Sequence, residues 1–170
     1  AGLGEYYKSN PNGRKVYFHV VGWEDDRGTT SNGYLTVEQM ARKYGIEKYV
    51  INHGKLFGDK LDEVFNQCVF AIGSLGRHRS GITEIKTLKN REYAARGISF
   101  IYSEMDSDFD NQTYVIKAPA DDTPIDVSEI IRYIDNSKVE SSYIRHTVEH
   151  LSWKYQMRIV LDNVSNNSIH

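Results

Sequence analysis

Two glutamates stand eight residues apart, Glu84 and Glu92, in the segment ITEIKTLKNREYAARG. Immediately before it lies GSLGRHRSG, a glycine-rich loop carrying Arg77, His78 and Arg79. Carboxylates accept hydrogen bonds from hydroxyl groups. A glycine-rich basic loop leading into a helix presents backbone N–H groups and positive charge to an anion. Together these residues suit a ligand with phosphate at one end and sugar hydroxyls at the other. Ile85, Leu88, Glu92 and Ala95 share one face of a helix that the spacing predicts from about Thr83 to a stop at Gly97. Glu92 therefore falls on the stripe expected to face the core, where an unpaired carboxylate would cost several kcal/mol. It is expected either to border a cleft or to pair with Lys89 or an arginine elsewhere. In a continuous helix Glu84 and Glu92 would be separated by about 12 Å of rise, comparable to the ribose-to-hexose span of a nucleotide sugar.

Other residues invite chemistry with a plainer reading beside it. EMDSDFDN holds Asp106, Asp108 and Asp110, but it lacks the glycine and the terminal glutamate of a calcium loop. A solvated acidic turn is the simpler expectation. His53 and His78 fall in loops, where a histidine is commonly a local hydrogen-bonder. Lys89 and Arg91 form a surface strip or reach a phosphate. Trp23 could stack on a base or sugar, or pack beneath its loop. Cys68 opens an apolar run and reads as a small core residue.

The elements that must position these residues alternate in type. KVYFHVVG, KYVINHG, CVFAIGSLG, ISFIYS and YVIKAP read as strands. YLTVEQMARKYG, GDKLDEVFNQ, the 83–97 segment and PIDVSEIIRYIDN read as helices, and 143–160 as one or two more with Leu151, Trp153 and Tyr155 packing inward. This alternation predicts an α/β fold: a Rossmann-like, three-layer α/β/α arrangement around a mostly parallel sheet. Ligands of such sheets bind beyond the carboxyl ends of the strands. The loops that matter are then 22–33, 53–58, 74–84 and 103–111. Neither GxGxxG nor GxxxxGK[ST] occurs, so the dinucleotide and P-loop readings lose their main signals.

The bulk properties fit one domain. There are 170 residues, a net charge of −2 and 26% charged residues, a balance that argues against a dedicated nucleic-acid binder. One cysteine cannot form an intrachain disulfide, which favours a reducing compartment, and a cytoplasmic location is expected. No apolar run approaches the roughly 20 residues of a membrane span.

Glu84-x7-Glu92, with SLG before it and EYAARGISF after it, resembles the donor-binding C-terminal domain of retaining GT-B-fold glycosyltransferases of the group 1, family 4-like type. In that family a strand leads through a PS…EGFG loop to a helix ending EAMACG and a strand xPVV. Ser74 matches the strand-end serine, Glu84 and Glu92 the two glutamates, and Ala94, Ala95 and Gly97 the small residues. YVIKAPADD, HLSWKYQMRIV, HVVG and YVINHGKL resemble further family segments, so the likeness covers about residues 15–165.

The resemblance implies one lobe of a GT-B fold and a hexosyltransferase-like activity, using an NDP-sugar donor and a glycan or lipid-linked acceptor in surface polysaccharide synthesis. It implies that Glu92 holds the ribose and that Glu84 contacts the transferred sugar at the catalytic position. The backbone of Ile85 and Lys86 would meet the diphosphate, with Gly81, His78 and Arg79 beside it, and His53 and Leu56 would frame the base. No metal or other cofactor is implied, and peripheral membrane association would belong to the longer protein. Residues 1–170 are expected to be a single domain, a partial lobe without the acceptor lobe or the first strand-helix unit, and to be inactive alone. The sequence departs from the family after Glu84, where Ile85, Lys86 and Thr87 replace glycine-aromatic-glycine. Two other readings remain: a noncatalytic α/β binding module of this fold, and a metal-dependent transferase using Asp106 and Asp108.

Overall fold

The computed structural model describes residues 1–22 and 35–167, with side chains as far as Val164. Trp23 and most of the 22–33 loop lie outside the described residues. The chain divides into two compact units, residues 1–69 with 123–135, and residues 70–122 with 136–170.

The first unit contains α1 (Gly2–Ser9), β1 (Phe18–Val20), α2 (Val37–Lys43), β2 (Val50–Asn52), α3 (Gly58–Phe65) and most of α5 (Val127–Asn136). β1 and β2 pair in parallel, Phe18 opposite Val50 and Val20 opposite Asn52. Thr36 starts α2 with a reciprocal cap: its hydroxyl accepts from the Gln39 N–H, and the Gln39 side chain accepts from the Thr36 N–H. Ala41, Ile46 and Tyr49 form a small core with Leu3, Tyr7 and Tyr44 against it. Tyr7 stacks on Tyr49 with ring centroids 3.8 Å apart. α1 is not anticipated by the periodicity, because its first turn carries two glycines. Those glycines are needed for close approach: a Cβ on Gly2 would lie 2.1 Å from the Ile125 carbonyl oxygen, and one on Gly4 2.8 Å from Tyr44 Cβ.

The second unit contains β3 (Ala71–Ile72), α4 (Leu88–Arg96), β4 (Phe100–Tyr102), β5 (Val115–Lys117), α6 (Ser141–Thr147) and α7 (Trp153–Asn167). Its strands are all parallel in the order β3-β4-β5. Phe100, Ile101 and Tyr102 of the central strand are buried, and Phe109, Tyr114, Ala94 and Ile144 complete the core around Phe100 and Tyr102. α4 ends on Gly97, whose φ of 76° is the left-handed conformation that stops a helix at little cost. A side chain there would also strike Ser141 and Arg145 of α6.

The α/β alternation and the parallel pairing agree with the sequence. The pairing forms two separate ladders, however, where one sheet is expected. β3 is shorter than CVFAIGSLG suggests: Val69 is exposed, and Cys68 sits just after α3 with its thiol bonded to the Val64 carbonyl. Leu151 packs against the second core, but Trp153 and Tyr155 are exposed. Among the described residues no helix is long and apolar enough to cross a membrane.

Candidate functional site

The carboxyl ends of β3 and β4 and the start of α4 are tied together by buried polar contacts. The Ser74 N–H donates to Asn90 Oδ1 at 3.2 Å, and the Ser74 and Thr87 hydroxyls meet at 3.0 Å. The Ser103 N–H donates to the Ser74 carbonyl at 3.1 Å. Gly73 permits this closeness, since a Cβ there would lie 2.6 Å from Asn90 Oδ1 and 2.9 Å from the Ile101 carbonyl oxygen. Asn90, Glu104 and Asp106 are all within 1% of complete burial, so each polar atom must find a partner.

Between β3 and α4 runs the basic loop. Gly76 and Gly81, at φ of 76° and 70°, bracket a single 3₁₀ turn over Arg77–Ser80. Glu104 pins this turn from below: Oε1 accepts from the His78 N–H at 2.9 Å, and Oε2 from the Ser103 hydroxyl at 2.6 Å. Burial pushes the Glu104 carboxyl up, but the Ser103 hydroxyl and the N–H groups of His78, Glu104 itself and Arg77 outweigh it and hold the group below its ordinary value. His78 Nδ1 is buried without a hydrogen bond, 3.6 Å from Glu104 Oε1. On its other side His78 Nε2 lies 3.2 Å from Asp122 Oδ1, and Arg79 Nε donates to the same oxygen at 2.6 Å.

The acidic segment after β4 is a paired network. Arg91 grips Asp106 with two hydrogen bonds of 3.2 Å and also bonds Asp108. Lys86 donates to Asp108 at 3.3 Å and to Ser107 at 3.1 Å. Lys117 bonds Asp110, which also accepts from the Tyr102 hydroxyl at 2.6 Å. For Asp108, burial acts upward but hydrogen bonding and charge from Arg91 and Lys86 prevail, leaving it below the usual carboxylate range. Asp110 is likewise lowered against burial, chiefly by Lys117 and Tyr102. The Tyr102 phenol is pushed far upward by burial and by Asp110. The expectation of a solvated turn is thus corrected: Asp106 is fully buried.

The 82–97 segment also departs from expectation. The helix starts at Leu88, and the residues before it are extended beside the 103–106 segment. Glu84 bridges Met105 in parallel; the Ile85 N–H donates to the Met105 carbonyl at 2.8 Å, and the Met105 N–H to the Thr83 carbonyl at 2.9 Å. Neither Ile85 nor Lys86 is therefore at a helix N-terminus, the Ile85 N–H is already used, and Glu84 is not one helical stretch from Glu92. Ile85 is buried in the core. Leu88 is 84% exposed, and Asn90 and Ala94 form the buried face of α4 instead, with Gly97 buried just past its end. Glu92 is exposed and pairs with Arg96 at 3.1 Å, one turn on along the helix surface. The helical period is right; the phase of the buried stripe is not.

Glu84, Ile85, Lys86, Gly81, His78, Arg79 and Glu92 all belong to the second unit, while His53 and Leu56 belong to the first. His53 follows β2, where its N–H donates to the Val20 carbonyl at 2.9 Å. Its ring stacks on His19, with His19 Nδ1 3.0 Å from His53 Nε2. Burial first, and the neighbouring His53 second, push the His19 imidazole below its ordinary value. Sequence reasoning passed over Asn90 and Glu104. The available signal was position: each follows within a few residues of a strand end or helix cap whose backbone needs partners.

Among the described residues no group of three or more metal-ligating side chains converges. Asp106 and Asp108, the pair considered for a metal, are engaged by Arg91 and Lys86. The chemistry on offer is hydrogen bonding to hydroxyls from exposed carboxylates and charge attraction to an anion from the basic loop. Compared with family models, with curated proteins and with solved structures, the chain shows no match.

Proposed function

We propose that this chain is the nucleotide-sugar-binding lobe of a retaining GT-B-fold glycosyltransferase, acting from an NDP-sugar on a glycan or lipid-linked acceptor in the cytoplasm. One observation supports it above the rest. A glycine-bracketed basic loop leaves the carboxyl end of a parallel strand, is pinned by Glu104 just beyond the next strand, and leads through the exposed Glu84 to a helix bearing the exposed Glu92. Ligands of parallel sheets bind at that edge. In this reading Glu92 exchanges its Arg96 partner for ribose hydroxyls, and Glu84 faces the transferred sugar. The diphosphate charge is met by basic side chains without a metal. Polysaccharide synthesis, peripheral membrane association and the need for a further acceptor lobe follow from the family likeness.

A second reading, a noncatalytic module of the same fold, is favoured by one specific observation. The Ile85 N–H, which a donor diphosphate would use, is already bonded to the Met105 carbonyl. The metal-dependent reading would require Arg91 to release Asp106 and Asp108.

The test is the thermal midpoint of wild type and Glu92→Gln with UDP, GDP, UDP-sugars, GDP-sugars and TDP-sugars, with and without Mn²⁺. A ligand at 100 times its dissociation constant stabilises by about 2.7 kcal/mol. A metal-free shift for one nucleotide that disappears in Glu92→Gln is the expected result. No shift with any nucleotide would leave the noncatalytic module.

A further inference from the structure

Every described side chain of α7, from Trp153 to Val164, is exposed. Yet this helix is not polar. Trp153, Met157, Val160 and Leu161 fall at i, i+4, i+7 and i+8, the spacing of a single apolar stripe, and Trp153 and Leu161 are 83% and 62% exposed. The helix does not owe its stability to length or composition. At 15 residues it is marginal by itself in water, and Ile159, Val160 and Asn163 are weak helix formers. Its start is nonetheless fixed. Leu151 packs against the second core, the Gln156 side chain donates to the His150 carbonyl at 2.7 Å, and the Tyr155 N–H donates to the Ser152 hydroxyl at 3.3 Å. α7 therefore leaves the second core in a set direction with its apolar stripe in water.

We infer that this stripe is an interface between two copies of the chain, paired antiparallel through α7. The pairing does not depend on what the basic loop binds. The exposed area is sufficient for it: Trp153, Met157, Val160 and Leu161 together leave roughly 500 Å² open on each copy, with an aromatic side chain able to supply about 200 Å² of that. Two copies face to face then reach the roughly 1,000 Å² that a specific interface needs. The stripe also complements itself. Trp153 and Leu161 stand equally far from Met157 along the chain, so a two-fold axis at Met157 sets the large indole of each copy against the smaller Leu161 of the other. Met157 meets its own copy on the axis, where a flexible thioether adapts to the gap left between them. Charge selects the direction. Lys154 lies near the start of α7 and Asp162 nearer its end, so antiparallel copies bring each Lys154 within about one turn, along the axis, of the other copy's Asp162. The helix dipoles are then opposed as well. Parallel copies would set Lys154 beside Lys154 and Arg158 beside Arg158.

The experiment is sedimentation equilibrium of the whole chain across a concentration series. The variants are Met157→Glu, Leu161→Glu and Ile159→Glu, all at exposed positions, and circular dichroism checks that each one folds. Wild type is expected to be mostly dimeric at about 100 µM, as a small interface with a micromolar dissociation constant would be. Met157→Glu and Leu161→Glu should each weaken the dimer at least tenfold. Ile159→Glu, on another side of the helix, should stay within about threefold of wild type. Lys154→Glu should weaken the dimer about threefold, as loss of an exposed pair does, and Asp162→Lys added to it should restore the affinity. A wild type that stays monomeric at about 100 µM overturns the inference and leaves the stripe to a different protein, or to a lipid surface if the monomer sediments with anionic vesicles. A dimer that survives both Met157→Glu and Leu161→Glu, or that Ile159→Glu weakens equally, overturns it too. Failure of Asp162→Lys to restore the Lys154→Glu dimer overturns the antiparallel arrangement.

Discussion

The two units solve the same problem, ending parallel strands in loops rich in polar groups, in opposite ways. In the second unit the central strand β4 has a neighbour on each side and is buried along its length, with Phe100 and Tyr102 at 0% exposure. In the first unit each of the two strands has one neighbour, and Phe18 and Ile51 remain exposed at 40% and 37%. The loops follow suit. After β4 the chain buries Glu104 and Asp106 and supplies each with donors. After β2 it sets one imidazole against another, both partly open to water. Burial raises the stakes of every polar group, so the deep sheet end needs a complete network, whereas the shallow one tolerates polar groups partly open to water.

That contrast breaks if disrupting the network does no harm. Asp106→Asn leaves the mostly buried Arg91 guanidinium without its bidentate partner and is expected to cost about 3 kcal/mol in urea unfolding, as removal of one partner of a buried pair does. A cost below about 1 kcal/mol would place the network among surface pairs. Next in size, Gly73→Ala drives a methyl into Asn90 and the Ile101 carbonyl, and overpacking of this kind costs about 2 kcal/mol. Amide exchange should show the loss first at β3 and β4. Tyr102→Phe removes the hydroxyl from Asp110 and should cost about 1 kcal/mol, with Lys117 still compensating the carboxylate.

Acid sharpens the contrast. Glu104, Asp108 and Asp110 have folded pKa values depressed below their unfolded ones, so their stabilisation is present above the ordinary carboxylate range and is lost as pH falls through and below it. His19 is also depressed in the fold, so its neutral form is favoured there; that stabilisation is present above the ordinary histidine value near 6.5 and is lost as pH falls below it. Amide exchange across a pH series should therefore loosen β1 and β2 near pH 6, while β4 stays protected to about pH 4. Simultaneous loosening would contradict the separate chemistry of the two ends. The smallest effect expected is Glu92→Gln without ligand, at most about 0.5 kcal/mol, since it removes only an exposed pair one turn apart.

The helix α4 shows how far the residues could be read. Gly97 marked its end, because only the left-handed conformation was needed there. The spacing sets its beginning five residues early, because Ile85 looks helical in the stripe but is buried as extended chain beside Met105. Thr87, a common cap residue, was the legible alternative. Periodicity points to apolar residues for the buried stripe, yet the structure buries Asn90 and exposes Leu88. Asn90 can be inside because Ser74 and Asp106, both sixteen residues away, satisfy its amide.

By itself the sequence determined the alternation of strand and helix, hence the parallel pairing, together with the helix stop at Gly97 and the collection of basic and acidic residues in loops after strands. These depend on neighbours in the chain: side-chain periodicity, glycine's freedom, and the length of a crossover. Tertiary structure alone decided which face of α4 turns inward, that the strands form two ladders, and which cation answers which carboxylate. Periodicity specifies the angle between residues but not which of them point inward, and a polar residue can point inward once a distant partner satisfies it.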